Sequence, residues 1–328
     1  MIITRTPFRI SFFGGGTDYP KYYRKYGGAV LGTTINKYCY VSCRKTEKVF
    51  NYKYRIVWSK NEILNQINNS KNPIVRATLK KIKPNSNIEI HFQADLPKNT
   101  GIGSSSAFCV GLIKSIYTLK KKKINKKQLA KLAIEIEQNK LKEYCGSQDQ
   151  VWSAYGGMNF ITFKKNGSIK VNKLKITKIR KKNLEKNLIL MFTGIQRYSK
   201  LIEKKKQKNL NKKIKFLQEI KNLTAKSKKI LQGKINLDKF GLALNEYWEL
   251  KKKLSENVSD IYLDTIYKKL IKNGAIGAKI IGSGGGGFFL IYCKEKKQSN
   301  LINKMRNYKF VKFKFENEGS KVIYDSLY

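Results

Sequence analysis

The stretch Pro97-Lys-Asn-Thr-Gly-Ile-Gly-Ser-Ser-Ser-Ala107 decides how this chain is read. It follows the alternating run Ile88/Ile90/Phe92 against Glu89/His91/Gln93, which predicts a half-buried strand over 87–94. It precedes an apolar run from Ala107 to Tyr117, read as a helix. Glycines at 101 and 103 let the backbone curl, and a helix start presents unpaired N–H groups and the positive end of its dipole. The serine hydroxyls add donors, and one of them can ligate Mg²⁺. An ordinary serine cap accounts for one serine, not for two glycines and three serines. The segment reads as an anion cradle that opens a helix.

A second glycine run, Gly282-Ser-Gly-Gly-Gly-Gly287, lies between the strand-like segments Ala278–Ile281 and Phe288–Cys293. It formally fits GxGxxG, but a dinucleotide site needs a helix after the glycines. GxxxxGK(S/T) is absent, as are HRD and DFG. Four consecutive glycines exceed what a hairpin needs and suggest close backbone approach to a ligand. A third glycine run, Gly14–Gly16, ends the strand-like Thr4–Phe13 and is followed by Asp18, which can cap a helical turn through Tyr22–Lys25. Ala29–Ile35 and Tyr38–Arg44 read as a strand pair turning at Asn36-Lys37. Further on, helices are expected over Lys126–Tyr144, Lys200–Gln232, Phe240–Leu254 and Tyr262–Asn273, and a late strand over Phe310–Phe315.

Composition narrows the function. Among 328 residues, 69 Lys+Arg stand against 22 Asp+Glu, a net charge of +47, and 41% are hydrophobic. That apolar share builds a core, so the chain is not disordered. The basic runs Lys120–Lys123, Lys204–Lys206 and Lys251–Lys253 are scattered and read as solvated faces, with no specific nucleic-acid partner expected. The single histidine, His91, reads as a strand residue on a polar face and excludes poly-histidine metal sites. Five cysteines without a CxxC point to a reducing compartment, with Cys39 and Cys43 buried and free. No segment approaches the roughly 20 apolar residues of a membrane span, and the expectation is a cytoplasmic protein without a membrane partner. Because carboxylates are scarce, those in uncharged surroundings stand out: Asp18, Glu137, and Asp149 within Gly146-Ser-Gln-Asp-Gln150. Beside glycine cradles, they suit a base and a metal ligand.

Thr6-Pro-Phe-Arg-Ile-Ser-Phe-Phe-Gly-Gly-Gly-Thr-Asp-Tyr19, the Pro97–Ala107 segment and Lys279-Ile-Ile-Gly-Ser-Gly-Gly-Gly-Gly-Phe288, in this order, resemble the three motifs of the superfamily of galactokinase, homoserine kinase, mevalonate kinase and phosphomevalonate kinase (GHMP kinases). With Gly146–Gln150 and Thr193-Gly-Ile-Gln-Arg197, the branch most resembled is that of the D-glycero-D-manno-heptose 7-phosphate kinases. The resemblance implies a two-domain α+β fold. Residues 1–180 would form an ATP-binding domain like ribosomal protein S5 domain 2, and residues 181–328 a ferredoxin-like domain.

By the same resemblance, Pro97, Thr100, Gly101, Ile102, Gly103, Ser104, Ser105 and Ser106 hold ATP. Ser105 and Glu137 hold Mg²⁺, with Glu135 as the neighbouring alternative. Asp149 is the catalytic aspartate and Arg9 the basic residue beside the transferred group. Gly15, Gly16, Thr17, Asp18, Arg197, Gly284, Gly285 and Gly286 contact the acceptor, with Arg197 on its distal phosphate. The implied reaction is ATP-dependent phosphorylation of the anomeric hydroxyl of a heptose 7-phosphate, and a homodimer is the assembly considered. Galactokinases carry Glu-His where this chain has Gly15-Gly16, which argues against galactose. The alternatives are a sugar-1-kinase for an unphosphorylated sugar such as fucose, and a basic nucleic-acid-binding protein on the same fold.

Overall fold

The computed structural model describes residues 1–84, 86–196, 199–208 and 210–326. Among these residues thirteen strands form two sheets. They are β1 (Ile2–Phe13), β2 (Gly28–Lys45), β3 (Tyr54–Val57), β4 (Asn61–Leu64), β5 (Ile88–Ala94), β6 (Asn159–Phe163), β7 (Ile169–Lys173), β8 (Leu188–Phe192), β9 (Gly277–Ile280), β10 (Phe288–Tyr292), β11 (Lys309–Val311), β12 (Phe315–Glu316) and β13 (Lys321–Asp325). The larger sheet runs β13-β1-β2-β5-β3-β4; β6 and β12 also pair with β2, and β7 with β6. The smaller sheet runs β11-β8-β10-β9. The mixed α+β architecture matches the expectation.

The helix Ser104–Leu119 lies on β1 and β2, burying Ala107, Val110, Leu112, Ile113 and Ile116. The helices Ile214–Gln232 and Asp238–Lys252 pack on each other. The first reaches β1 and β2, and the second lies on β9. The two halves meet through aromatic rings at the end of β1: Phe12 and Phe13 each stand edge-on to Phe240, with centroids 5.3 Å apart. The glycine loop after β1 leaves from this packed corner.

Several expected elements differ. The expected strand pair around Asn36-Lys37 is one strand, β2. Pro7 pairs with Tyr38 and Arg9 with Thr34, so residues 35–37 bulge out of the ladder. The bulge is held by the chain's end: Asn36 N donates to the Lys314 carbonyl at 2.9 Å, and Lys314 N donates to Asn36 Oδ1 at 2.6 Å. Phe310–Phe315 is not one strand but two. β11 belongs to the smaller sheet and β12 to the larger, so the tail crosses between them. The helix from Lys126 turns π-helical at Glu135–Lys140 instead of continuing to Tyr144. Lys200–Gln232 divides into Ser199–Lys208 and Ile214–Gln232, separated by a 3-10 turn at Asn211–Lys213. Asp18 does not cap the helix Pro20–Tyr26, whose N-cap position is Tyr19. Glu89, expected on a polar face, is buried and accepts from Arg44, Arg55 and His91.

The two glycine loops from opposite halves touch through their backbones. Gly101 and Gly282 have φ of 87° and 69°, and a Cβ on Gly282 would lie 2.5 Å from Gly101 Cα. Phe288 N donates to the Thr100 carbonyl at 3.2 Å beside them. Gly282→Ala therefore combines a positive φ with backbone overlap. We expect it to lower unfolding stability by about 2 kcal/mol in denaturant titration. A change within about 0.5 kcal/mol, the usual range of an uninvolved surface site, would show that the loops do not need this contact.

Candidate active site

A cleft opens where β1, the Ser104 helix start and the β9–β10 loop converge. Gly103, with φ 77°, is the N-cap of Ser104–Leu119, and no side chain caps that helix. The first-turn N–H groups are therefore available to a ligand oxygen.

Arg9 projects from β1 and is buried. Its Nε donates to Asp149 Oδ1 at 2.8 Å and its Nη2 to Oδ2 at 2.6 Å, while Nη1 donates to the Gly101 carbonyl. Asp149 lies in the first turn of the helix Gln148–Tyr155. The bidentate fork fixes the carboxylate's orientation. Asp149 keeps about a quarter of its side chain open (24%) to the cleft.

Glu137 is buried in the π-turn. It accepts from Ser105 Oγ at 2.9 Å, Ser106 Oγ at 2.6 Å and Gln150 Nε2 at 2.5 Å. Burial raises its pKa despite these donors. Glu135, two residues away, instead pairs with Lys81 at 2.8 Å. Ser105 and Glu137 suit Mg²⁺, a hard cation usually held by one or two protein oxygens with phosphate and water completing its shell. Among the described residues no group of three or more His, Cys, Asp or Glu is placed to hold a metal.

Asp18 is fully buried beside the glycine loop. Its Oδ1 accepts from Gly16 N at 2.9 Å and its Oδ2 from Gln148 N at 3.3 Å. Burial, and then the charges of Asp149 and Glu203, raise its pKa to about 6. Tyr19 OH donates to Glu203, which also accepts from Lys206 Nζ at 3.2 Å. Tyr247 OH donates to the Gly15 carbonyl at 3.4 Å.

The cleft brings together Arg9, Gly15, Gly16, Asp18, Gly101, Gly103, Ser104–Ser106, Glu137 and Asp149 from the sequence expectations. Other expected residues do not line it. Thr100 donates to the Pro97 carbonyl at 2.7 Å, and Ile102 is core. Thr17 closes its own turn by donating to the Gly14 and Ala29 carbonyls at 2.8 and 2.9 Å. Gly284 and Gly286 pack on Val258 and Ile195, and Gly285 N donates to the Val258 carbonyl at 2.7 Å. Gly282 and Ser283 line the cleft from that loop instead. Arg197 lies outside the described residues.

Lys206, Lys251 and Lys279 were not singled out as site residues from sequence. The basic runs 204–206 and 251–253 read as solvated, yet Lys206 and Lys251 are buried in the cleft wall. Lys251 Nζ donates to the Ile280 and Gly282 carbonyls, both at 2.7 Å, and Lys206 donates to that of Ser283. Lys279 carried a signal, a lone charge within the apolar run Ala278–Ile281. Burial and the nearby Arg9 charge hold its amine well below the usual lysine range.

Residues 69–157 match the family described as GHMP kinases N terminal domain, and residues 228–311 match GHMP kinases C terminal. The chain is 34% identical to a D-glycero-alpha-D-manno-heptose 7-phosphate kinase of Campylobacter jejuni, over 98% of each chain. Its fold is similar to that of a D-glycero-D-manno-heptose 1-phosphate kinase from Bacteroides thetaiotaomicron. The TM-score is 0.81 at 23% identity, covering 99% of this chain and 100% of that one. It is also similar to a Methanococcus jannaschii mevalonate kinase, with TM-score 0.74 at 22% identity, covering 95% and 98%. The chain belongs to the GHMP kinase family, with that family's two-domain fold. It is an ATP-dependent phosphotransferase, and the nucleic-acid-binding alternative is not favoured. Among the described residues no helix is long and apolar enough to cross a membrane.

The Asp18 carboxyl gives a pH test. A carboxyl whose pKa rises on folding binds its proton more tightly in the folded state, so its contribution to stability falls as pH rises from about 4 to about 6. A shift of this size corresponds to at most roughly 3 kcal/mol. Asp18→Asn should therefore gain stability relative to the parent between pH 4 and pH 7, followed by denaturant unfolding at each pH. A parent–variant difference that stays constant over that range would contradict the buried, proton-retaining carboxyl.

Proposed function

We propose that the chain transfers the γ-phosphoryl group of ATP to the anomeric hydroxyl of D-glycero-D-manno-heptose 7-phosphate, giving the 1,7-bisphosphate. The full-length similarity to a heptose 7-phosphate kinase supports the substrate class. The observation that carries the chemistry is the Arg9–Asp149 fork, set across Gly103 from an uncapped helix start. A Cβ on Gly103 would come 3.4 Å from Asp149 Oδ2, so the base and the phosphate cradle share one small space.

In this reading the first-turn N–H groups of Ser104–Ser106 hold the ATP phosphates. Ser105 and Glu137 would hold Mg²⁺, which when bound offsets phosphate charge. Asp18, with Gly15 and Gly16, orients the sugar hydroxyls. Asp149 accepts the proton of the anomeric hydroxyl as its oxygen bonds to the γ-phosphorus. The bond from that phosphorus to the bridging oxygen breaks, and its electron pair leaves with ADP. Arg9 keeps Asp149 aimed and adds positive charge near the transferring group, where positioning and electrostatics supply most of the catalysis. Arg197 and nearby basic residues would hold the 7-phosphate, and the molecule would work in the cytoplasm.

ADP release with MgATP should be seen with heptose 7-phosphate and not with the unphosphorylated heptose, mannose, fucose, galactose or mevalonate. Turnover of an unphosphorylated sugar alone would move the reading to a sugar-1-kinase of another substrate class. Asp149→Asn should retain ATP binding while kcat falls at least ~100-fold, the scale of a lost general base. Near-normal turnover would remove Asp149 from that role.

A further inference from the structure

Lys279 is 1% exposed, yet it lines the cleft. Its Nζ donates to the Phe12 carbonyl at 2.5 Å and sits 4.0 Å from the centroid of the Tyr247 ring. Among the described residues no carboxylate lies within ion-pair distance of it. Of the cations nearby, Arg9 is matched by Asp149 and Lys206 by Glu203, while Lys251 donates to the Ile280 and Gly282 carbonyls. Removing an ammonium from water is costly, and neither a carbonyl nor an aromatic face supplies the full counter-charge. Arg9 adds a second positive charge to the same wall and raises that cost. A buried lysine without a carboxylate partner, lining a cleft built for phosphate, takes its ammonium form most readily when negative charge arrives with the substrates, and so marks where that charge sits.

Its place in the fold says which charge. Lys279 is on β9, two residues before Ile281, whose carbonyl would be 2.5 Å from a Cβ on Gly101. Its Nζ is bound to the carbonyl of Phe12, and Ser11 and Arg9 on the same strand also line the cleft. The strand that carries it thus ends against the phosphate cradle at Gly101, and its Nζ reaches the strand that leads into the Gly14–Gly16 loop.

We propose that Lys279 is a further catalytic residue, whose ammonium meets the non-bridging oxygens of the phosphoryl group in transit from ATP to the acceptor hydroxyl. It takes no proton: the hydroxyl proton goes to Asp149, the new O–P bond forms as the old one breaks, and the departing electron pair stays on ADP. Its contribution is charge placed in advance, which acts mainly in the transition state. This inference rests on the phosphotransfer reading above.

The test measures kcat and both KM values for Lys279→Met, Lys279→Ala and Lys279→Arg, with folding checked by circular dichroism and thermal midpoint. For the methionine and alanine variants kcat should fall about 100- to 1000-fold, the scale of a lost preorganised donor. Both KM values should stay within about threefold, because a group acting only in the transition state leaves ground-state binding intact. The arginine variant should keep more activity than methionine. Methylammonium or ethylammonium should restore Lys279→Ala turnover in a saturable way, which a purely structural role would not allow. A kcat within threefold of the parent would overturn the proposal. So would a loss that tracks the folded fraction and is restored by neither arginine nor amine. A parent protein that transfers phosphate to no acceptor would instead overturn the phosphotransfer reading, and the Lys279 role with it.

Discussion

The contact on which the rest depends is the backbone meeting of two glycine loops. Gly101 and Gly282 pack with no side chain between them, and Phe288 N closes the seam on the Thr100 carbonyl. One loop opens the Ser104 helix, and the other joins β9 to β10. The N–H cradle and the Arg9–Asp149 fork already adjoin, and the seam brings the β9–β10 loop and the strand carrying Lys279 up to them. With it they face one space. The Arg9 Nη1 contact to the Gly101 carbonyl ties the fork to the same seam, so in the proposed reaction one element sets both the base and the phosphate cradle.

The site concentrates charge that the fold would otherwise avoid burying. Glu137, Asp18, Arg9, Lys251 and Lys279 are each at most 5% exposed. Glu137 is tolerated because three side chains donate to it. Lys251 is tolerated because the carbonyls of Ile280 at the end of β9 and of Gly282 in the glycine loop accept from it. Such groups cost stability and are kept where preorganised charge does chemistry. The π-turn at Glu135–Lys140 belongs to the same logic. A widened turn places Glu137 inward while Glu135 stays at the surface with Lys81.

Much of this was legible in the sequence because the key elements are punctuated by glycine and by rare acids. The Gly101–Ser106 cradle, the loop before Asp18, and Asp149 within the uncharged Gly146–Gln150 stretch all stand out locally. What was not legible depends on contacts distant in sequence. Asn36-Lys37 read as a turn because its partner, Lys314, lies far along the chain. Phe310–Phe315 alternates like one strand, and only the positions of two sheets divide it. Lys206 and Lys251 sit inside lysine runs that no local pattern separates into buried and solvated members. Gly284–Gly286 belong to a recognisable loop, but only packing on Val258 and Ile195 shows that Gly282 and Ser283 are the ones facing the cleft.

The central claim is that this cleft moves a phosphoryl group onto the anomeric oxygen of an already phosphorylated sugar. ³¹P NMR of the product formed from MgATP and D-glycero-D-manno-heptose 7-phosphate tests it most directly. The account predicts a new phosphate resonance coupled to the anomeric proton, with the original 7-phosphate signal retained and ADP formed in equal amount. A new phosphate coupled to any other position, or ATP consumed with no sugar phosphate formed, would contradict it.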